Sequence, residues 1–200
     1  MKINYSIFFT YKLVSLKFIS IFQSEYFTNP NMNHLINSTY RIISNHGFAE
    51  RRQKISNNQN ALFALQPFQP LELVSPFSAG VISAEPTYLT IQLSVRKHIT
   101  MQPEFLQYIN HSCEPNVFFD TTLMEVIALK ELKPGDEMTF FYPSSEWKMA
   151  RSFDCYCGSP KCIKKIRGAA YLSPELQSQY RFTDFIQQQL AKKNTRKKVA

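Results

Sequence analysis

The stretch YINHSCEPNVFFD, residues 108–120, sets an asparagine, a histidine, a serine and a cysteine in a row, followed by a Pro-Asn turn and an apolar run. The chain has four cysteines in 200 residues, and the other three, Cys155, Cys157 and Cys162, crowd into CYCGSPKC, residues 155–162. Four thiolates satisfy a closed tetrahedral zinc at about 2.3 Å each. Such a site carries a formal charge of about −2, and Lys161, Lys164, Lys165 and Arg167 stand where they offset it. Disulfides are the competing use, but cysteines one residue apart bridge poorly and nothing marks a secreted chain. The spacing reads as structural zinc held by Cys113, Cys155, Cys157 and Cys162, with unrelated buried thiols as the remaining alternative. A distal segment stapled back in this way forms one wall of whatever Asn110 and His111 face.

With 44% apolar residues, a chain of this length builds one domain with a real core and extensions. The net charge of +8 suggests a nucleic-acid partner, but its distribution weakens that idea: Glu50 to Asp184 carries fourteen basic and fourteen acidic side chains, and the surplus sits at the two ends. An interface that neutralises many phosphates needs a basic face on the fold itself. Nucleic acid is therefore an expected partner only through the basic tail AKKNTRKKVA, residues 191–200, which reads as a frayed, solvated end. The five glycines are never closer than ten residues apart, which excludes the glycine-rich phosphate cradles of Walker-type hydrolases and Rossmann dehydrogenases. The apolar N-terminal stretch is interrupted by Lys12 and Lys17, so neither a spanning helix nor a cleaved signal is expected. Its period-two alternation from Ile3 to Leu13 suits a strand, unless translation begins at Met32 and the first segment is not native.

The rest of the chain is mostly β in its pattern. SNNQN, residues 56–60, is a loop that delivers the chain into ALFALQPF, and YLTIQLSV, residues 88–95, alternates as a half-buried strand. PEFLQYI gives one or two helical turns before the opening motif, and NVFF, MEVIAL and EMTFFY are three short β-prone runs. Pro134 and Gly135 suit the central positions of a tight turn before the last of them, the second needing positive φ. A helix starts at Ser173-Pro174-Glu175, with a capping hydroxyl and a ring preset for the first turn, and continues through Leu176, Tyr180, Ile186 and Leu190.

Three motifs in this order, NHSCEPNV, ELKPGDEMTFFY and CYCGSPKC, resemble those of the SET-domain lysine methyltransferases over about Ala61 to Gly168. The resemblance implies a fold of small curled sheets with a C-terminal pseudoknot, in which the NHSC segment and the closing strand thread past each other. It divides the chain into an N-terminal extension (1–49), a SET domain (50–150), a post-SET zinc segment (151–168) and a C-terminal helix with basic tail (169–200). It implies S-adenosylmethionine as cofactor, held by Asn110 and His111 and by the stretch Asn60, Ala61, Leu62 and Phe63. It carries over Tyr142 as the catalytic tyrosine, and the post-SET arrangement takes its fourth zinc ligand from Cys113. Phe140 and Phe118 are expected to line the channel for the substrate lysine. The residue two before the catalytic tyrosine tunes product number in the family, and phenylalanine at Phe140 implies di- or trimethylation.

Three departures stand out. Asn58 and Asn60 replace the two glycines of the family's cofactor loop, Lys164 replaces the glycine after the last cysteine, and Phe141 replaces the closing aspartate. Asparagine tolerates positive φ better than most residues, which preserves the turn. The leading expectation is an enzyme that methylates lysine side chains of a histone or other protein, acting as a monomer with no membrane attachment, in the reducing interior of cytoplasm or nucleus. The alternatives are a degenerate SET module that binds a peptide or partner without catalysis, and a zinc-stapled nucleic-acid binder.

Overall fold

A computed structural model describes residues 39–199 of the chain. The alternating stretch Ile3–Leu13 lies outside the described residues. The chain enters through β1 (Tyr40–Asn45), β2 (Ala49–Lys54) and β3 (Asn60–Ala64), which form a sheet in that order. Between β2 and β3, Lys54 N–H donates to the Gln59 carbonyl and Asn58 takes φ +58°, so the polar loop closes as a tight turn. β4 (Leu73–Pro76) follows, then β5 (Ser78–Ser83), β6 (Ile91–Ser94) and β7 (Lys97–Gln102), which make a second sheet in the order β5-β7-β6. The expected strand over 88–95 is shorter at both ends, because Thr87 and Thr90 close a turn on one side and Val95 sits exposed at the hairpin tip.

A 3-10 turn, Glu104–Tyr108, replaces the expected helical turns and leads into β8 (Asn110–His111). β9 (Val117–Asp120) and β10 (Glu125–Ala128) pair antiparallel, with β4 on the far side of β10. β11 (Thr139–Phe140) runs parallel to β8, with Thr139 opposite Asn110 and Phe140 opposite His111. Gly135 takes φ +94° in the turn before it, as the sequence requires. β12 (Phe153–Asp154) and β13 (Lys165–Ile166) close the cysteine-rich segment as a small antiparallel ladder. The architecture is the expected set of small sheets with little helix.

Period two decides where the closing strand sends its rings. Phe140 enters the main core with Leu62, Ile99, Phe119 and Met138. Phe141 points the other way, into a second core with Ala169, Leu172, Phe182, Ile186 and Leu190. Burial of each ring is worth about 1.5–3 kcal/mol, so the end of β11 and the residue that follows it bind two hydrophobic clusters together.

The C-terminal segment differs from the single helix expected. α1 (Pro174–Gln177) is one turn, capped as predicted by the Ser173 hydroxyl, which accepts from Leu176 N–H; α2 (Asp184–Val199) starts afresh. Between them, three consecutive side chains are claimed by different neighbours. Tyr180 stacks on Phe141 at 3.7 Å, Arg181 pairs with Asp120 at 3.0 Å, and Phe182 joins the second core. A helix would aim these side chains at steps of about 100°, and the extended stretch satisfies all three instead. The basic tail, expected to be frayed, is helical through Val199, consistent with its Ala, Lys and Arg content and its lack of Gly and Pro.

Candidate active site

The parallel pairing of β8 with β11 brings two of the three motifs into one hydrogen-bonded unit. Ser112 N–H donates to the Phe140 carbonyl at 3.0 Å, and Asn116 N–H to the Thr139 carbonyl at 3.0 Å. The Asn116 amide extends the ladder: its Oδ1 accepts from Thr139 N–H at 2.7 Å and its Nδ2 donates to the Glu137 carbonyl at 2.8 Å. Asn110 Nδ2 donates to the Asn60 carbonyl at 2.9 Å and to Glu137 Oε1 at 3.0 Å. The start of β3, the NHS segment and the closing strand therefore meet at a single side-chain amide.

On the other side of β8, His111 Nδ1 accepts from the backbone N–H of Tyr142 at 3.2 Å, while its Nε2 lies 3.4 Å from Cys113 Sγ. An accepting Nδ1 places the ring proton on Nε2, toward the sulfur. Burial pushes the imidazole down to about 4, so it is neutral at physiological pH. The ring contacts Phe141, Tyr142 and Phe153. Tyr142 packs on Phe140 at 4.7 Å, and burial raises its phenol far above the ordinary value, keeping the hydroxyl protonated.

The four thiols converge. Cys113, Cys155, Cys157 and Cys162 have all their sulfurs within 4.8 Å of one another, and Cys113 Sγ lies 3.9 Å from Cys155 Sγ. Four sulfurs at about 2.3 Å from one tetrahedral ion are about 3.8 Å apart, so the cluster fits a zinc ion. Its chemistry fits as well. Burial raises the thiols of Cys113 and Cys155, the latter to about 11; at Cys157 burial is outweighed by hydrogen bonds, including those from Cys113 and Ser159, which lower it to about 6. The buried thiols of Cys113 and Cys155 thus resist ionisation until a cation neutralises them, while Cys157 ionises readily beside them.

Other expected residues are distributed unevenly. Ala61, Leu62 and Phe63 lie along buried β3, with the Leu62 side chain in the main core and the Arg52 guanidinium 4.3 Å above the Phe63 ring. Asn60 Oδ1 accepts from Arg51 Nε at 3.0 Å. Phe118 and Phe119 point to opposite faces of β9. Phe119 is the ring that meets Phe140, at 4.7 Å, whereas Phe118 lies under the Arg181 guanidinium at 4.4 Å. Two of the substituted positions take a glycine-like backbone, while Asn60 opens β3 as an ordinary strand residue. Asn58 and Lys164 take φ +58° and +63°, the left-handed region that glycine enters freely, and Phe141 has its own partner in Tyr180.

Sequence reasoning missed Glu137, Asn116 as an amide ladder, and Tyr180, whose hydroxyl donates to the Cys113 carbonyl at 2.9 Å. Asn116 stood within the quoted motif and read as a turn residue. Nothing in helical periodicity marks Tyr180 as the link between the closing strand and the loop that carries Cys113.

The sequence profile of the SET domain matches residues 17–143. The chain is 35% identical over 123 residues to the "Methyltransferase flvH" of Aspergillus flavus, an alignment taking in 60% of this chain and 68% of that protein. It is 38% identical over 81 residues to the "Histone-lysine N-methyltransferase, H3 lysine-36 specific" of Candida albicans, and 34% over 87 residues to the protein of that name from Debaryomyces hansenii. Those two alignments take in 35% and 38% of this chain but only 10% and 12% of the longer relatives. With its three motifs, small sheets and thiol cluster, the chain belongs to the SET-domain family of protein-lysine methyltransferases.

Proposed function

We propose that the chain is an S-adenosylmethionine-dependent protein-lysine N-methyltransferase that carries lysine side chains of a histone or another protein to the di- or trimethyl state. The observation that supports it most is the continuity of the hydrogen bonds from Asn60 through Asn110 to Glu137, and from Cys113 through His111 to Tyr142. In this reading Asn110, His111 and the stretch Asn60–Phe63 cradle the cofactor, whose sulfonium supplies the methyl group. Zinc held by Cys113, Cys155, Cys157 and Cys162 fixes the post-SET wall.

Lysine has a pKa of about 10.4 in water and is nearly all ammonium at neutral pH. An apolar channel disfavours the charged form and excludes water, and Phe140 is a wall of it in this reading, whereas the expected second wall, Phe118, faces Arg181 on the other side of β9. The Tyr142 hydroxyl, kept neutral by burial, orients the amine for in-line attack as a hydrogen-bonding partner. Phe140 offers no hydroxyl to restrain the amine after the first transfer. The thiolate site suits a reducing compartment, nucleus or cytoplasm. Among the described residues no helix is long and apolar enough to cross a membrane.

The test incubates the chain with radiolabelled S-adenosylmethionine and a panel of histones and cell-extract proteins, with mass spectrometry of the labelled product. Labelled lysine in the di- or trimethyl state, lost in Tyr142→Phe with the fold retained, is the expected result. Full rate in Tyr142→Phe removes the tyrosine from its role, and product that stops at monomethyl overturns the product assignment. Failure to bind the cofactor in calorimetry favours a partner-binding SET module without catalysis.

A further inference from the structure

The hairpin β6–β7 carries two polar side chains that the fold buries. Gln92 and His98 are cross-strand partners, and both are almost fully buried. They face two consecutive residues just beyond Tyr142. Gln92 Oε1 accepts from Trp147 N–H at 3.0 Å, and His98 Nδ1 lies 4.0 Å from Glu146 Oε2, beyond direct hydrogen-bond distance. The His98 and Glu146 side chains are only 4% and 6% exposed.

The same two residues are gripped from the other side. The Glu146 carbonyl accepts from Ala169 N–H at 2.8 Å and the Trp147 carbonyl from Ala170 N–H at 2.9 Å. Gly168 allows this approach: it takes φ +111°, and a Cβ there would lie 2.6 Å from the Trp147 carbonyl oxygen. Glu146 also closes the turn behind the proposed catalytic residue, since its N–H donates to the Tyr142 carbonyl at 3.1 Å. Among the described residues, the buried side-chain atoms without a hydrogen-bond partner are His98 Nδ1, Ser144 Oγ, Glu146 Oε1 and Thr183 Oγ1. Thr183 N–H donates to the Ser144 carbonyl at 3.0 Å, so these groups lie on adjoining segments around one turn.

Buried polar groups without direct partners cost stability, and a leucine would fill the Glu146 site without that cost. What a polar contact adds is direction. Burial pushes the Glu146 carboxyl well above its ordinary range and His98 below its own, so the socket favours the neutral form of each. Resting on the reading of Tyr142 as catalytic, we propose that Gln92 and His98 form a polar socket for Glu146 and Trp147 that positions the Tyr142 turn for methyl transfer. His98, Glu146 and Gln92 are positioning residues, acting through the backbone of the turn.

The test uses the full chain, radiolabelled S-adenosylmethionine and the substrate protein that the parent chain labels. Glu146→Leu is expected to keep or raise Tm while kcat falls about 10- to 100-fold, the scale of a misplacement of about 1 Å. The KM values for cofactor and protein should stay within about twofold. Glu146→Gln, a neutral isostere, should return kcat to within about threefold of the parent. His98→Leu should reproduce the Glu146→Leu loss, and it carries the test if Glu146→Leu does not fold. A folded Glu146→Leu or His98→Leu with parental kcat overturns the inference, as does a fall in kcat matched by equal losses of cofactor affinity and Tm. Tyr142→Phe separates the two readings. If Tyr142→Phe is inactive while the socket variants run at full rate, only the socket is lost; a Tyr142→Phe at full rate, or a parent that transfers no methyl group, sinks both.

Discussion

Two regions bring distant sequence to the same spot by opposite means. The crossing of β8 with β11 is held by backbone ladders, two asparagine amides and phenylalanines entering two cores. The thiol clasp has little apolar packing of its own beyond Ile166 and the rings and aliphatic side chains at its rim, and its four sulfurs sit within 4.8 Å of one another. The first arrangement is complete in its own hydrogen bonds. The second is chemically incomplete, because buried thiolates repel one another until a cation intervenes. One region is thus assembled by ordinary packing, and the other by a thiol cluster whose chemistry suits a metal ion.

The sharpest way to break this contrast is Cys113→Ser, or a chelator. Either is expected to remove one equivalent of zinc, abolish methyl transfer and expose residues 153–167 to proteolysis. The sheets around β8 and β11 should keep their far-UV signature. Metal analysis and limited proteolysis check it, and a variant that retains zinc and protease resistance would show that three thiols suffice.

Asn110→Ala attacks the other region more gently. It deprives the Asn60 carbonyl and the Glu137 carboxylate of a donor each, in a half-buried site, which should cost about 1–3 kcal/mol. Thermal unfolding should show that loss with zinc content unchanged. Cofactor titration should show weakened binding, since the amide ties β3 to the NHS segment.

The smallest expected effect is a pH dependence carried by the socket behind the turn. The Glu146 carboxyl is raised well above 4.5 by burial, so between its ordinary and its raised value the native state binds the extra proton and stability falls as pH rises. His98 is lowered from 6.5, chiefly by burial and against the pull of Glu85, so stability rises with pH up to that ordinary value. The two slopes oppose each other in mild acid. Glu146→Gln removes only the first, so its Tm should gain on the parent's as pH increases from about 5 upward, the region where an exposed carboxyl is already ionised. A constant Tm difference across that range would show that Glu146 titrates normally.

Much of the candidate site was legible because its chemistry is local in the chain. The spacing of Cys155, Cys157 and Cys162, the NHSC run and the Pro134-Gly135 turn each report on a few adjacent residues, and each appears as expected. Gln92 was not legible, since it occupies a polar position in an alternating strand and becomes buried only because Trp147 N–H arrives there. Phe118 and Phe119 read alike in sequence, and only the facing of β9 gave Phe119 to Phe140 and Phe118 to Arg181.

By itself, the sequence determined the four-cysteine cluster, the short strands, the turns and the family, because thiol count, period-two alternation and glycine position are properties of neighbouring residues. Only the tertiary structure decided that the helix after Ser173 breaks at residues 178–183 and that His111 joins Cys113 to Tyr142. It also decided that Glu146 is buried against His98. Local propensity is worth a few tenths of a kcal/mol per residue, and a stacked, hydrogen-bonded and charge-paired segment such as Tyr180–Phe182 outweighs it.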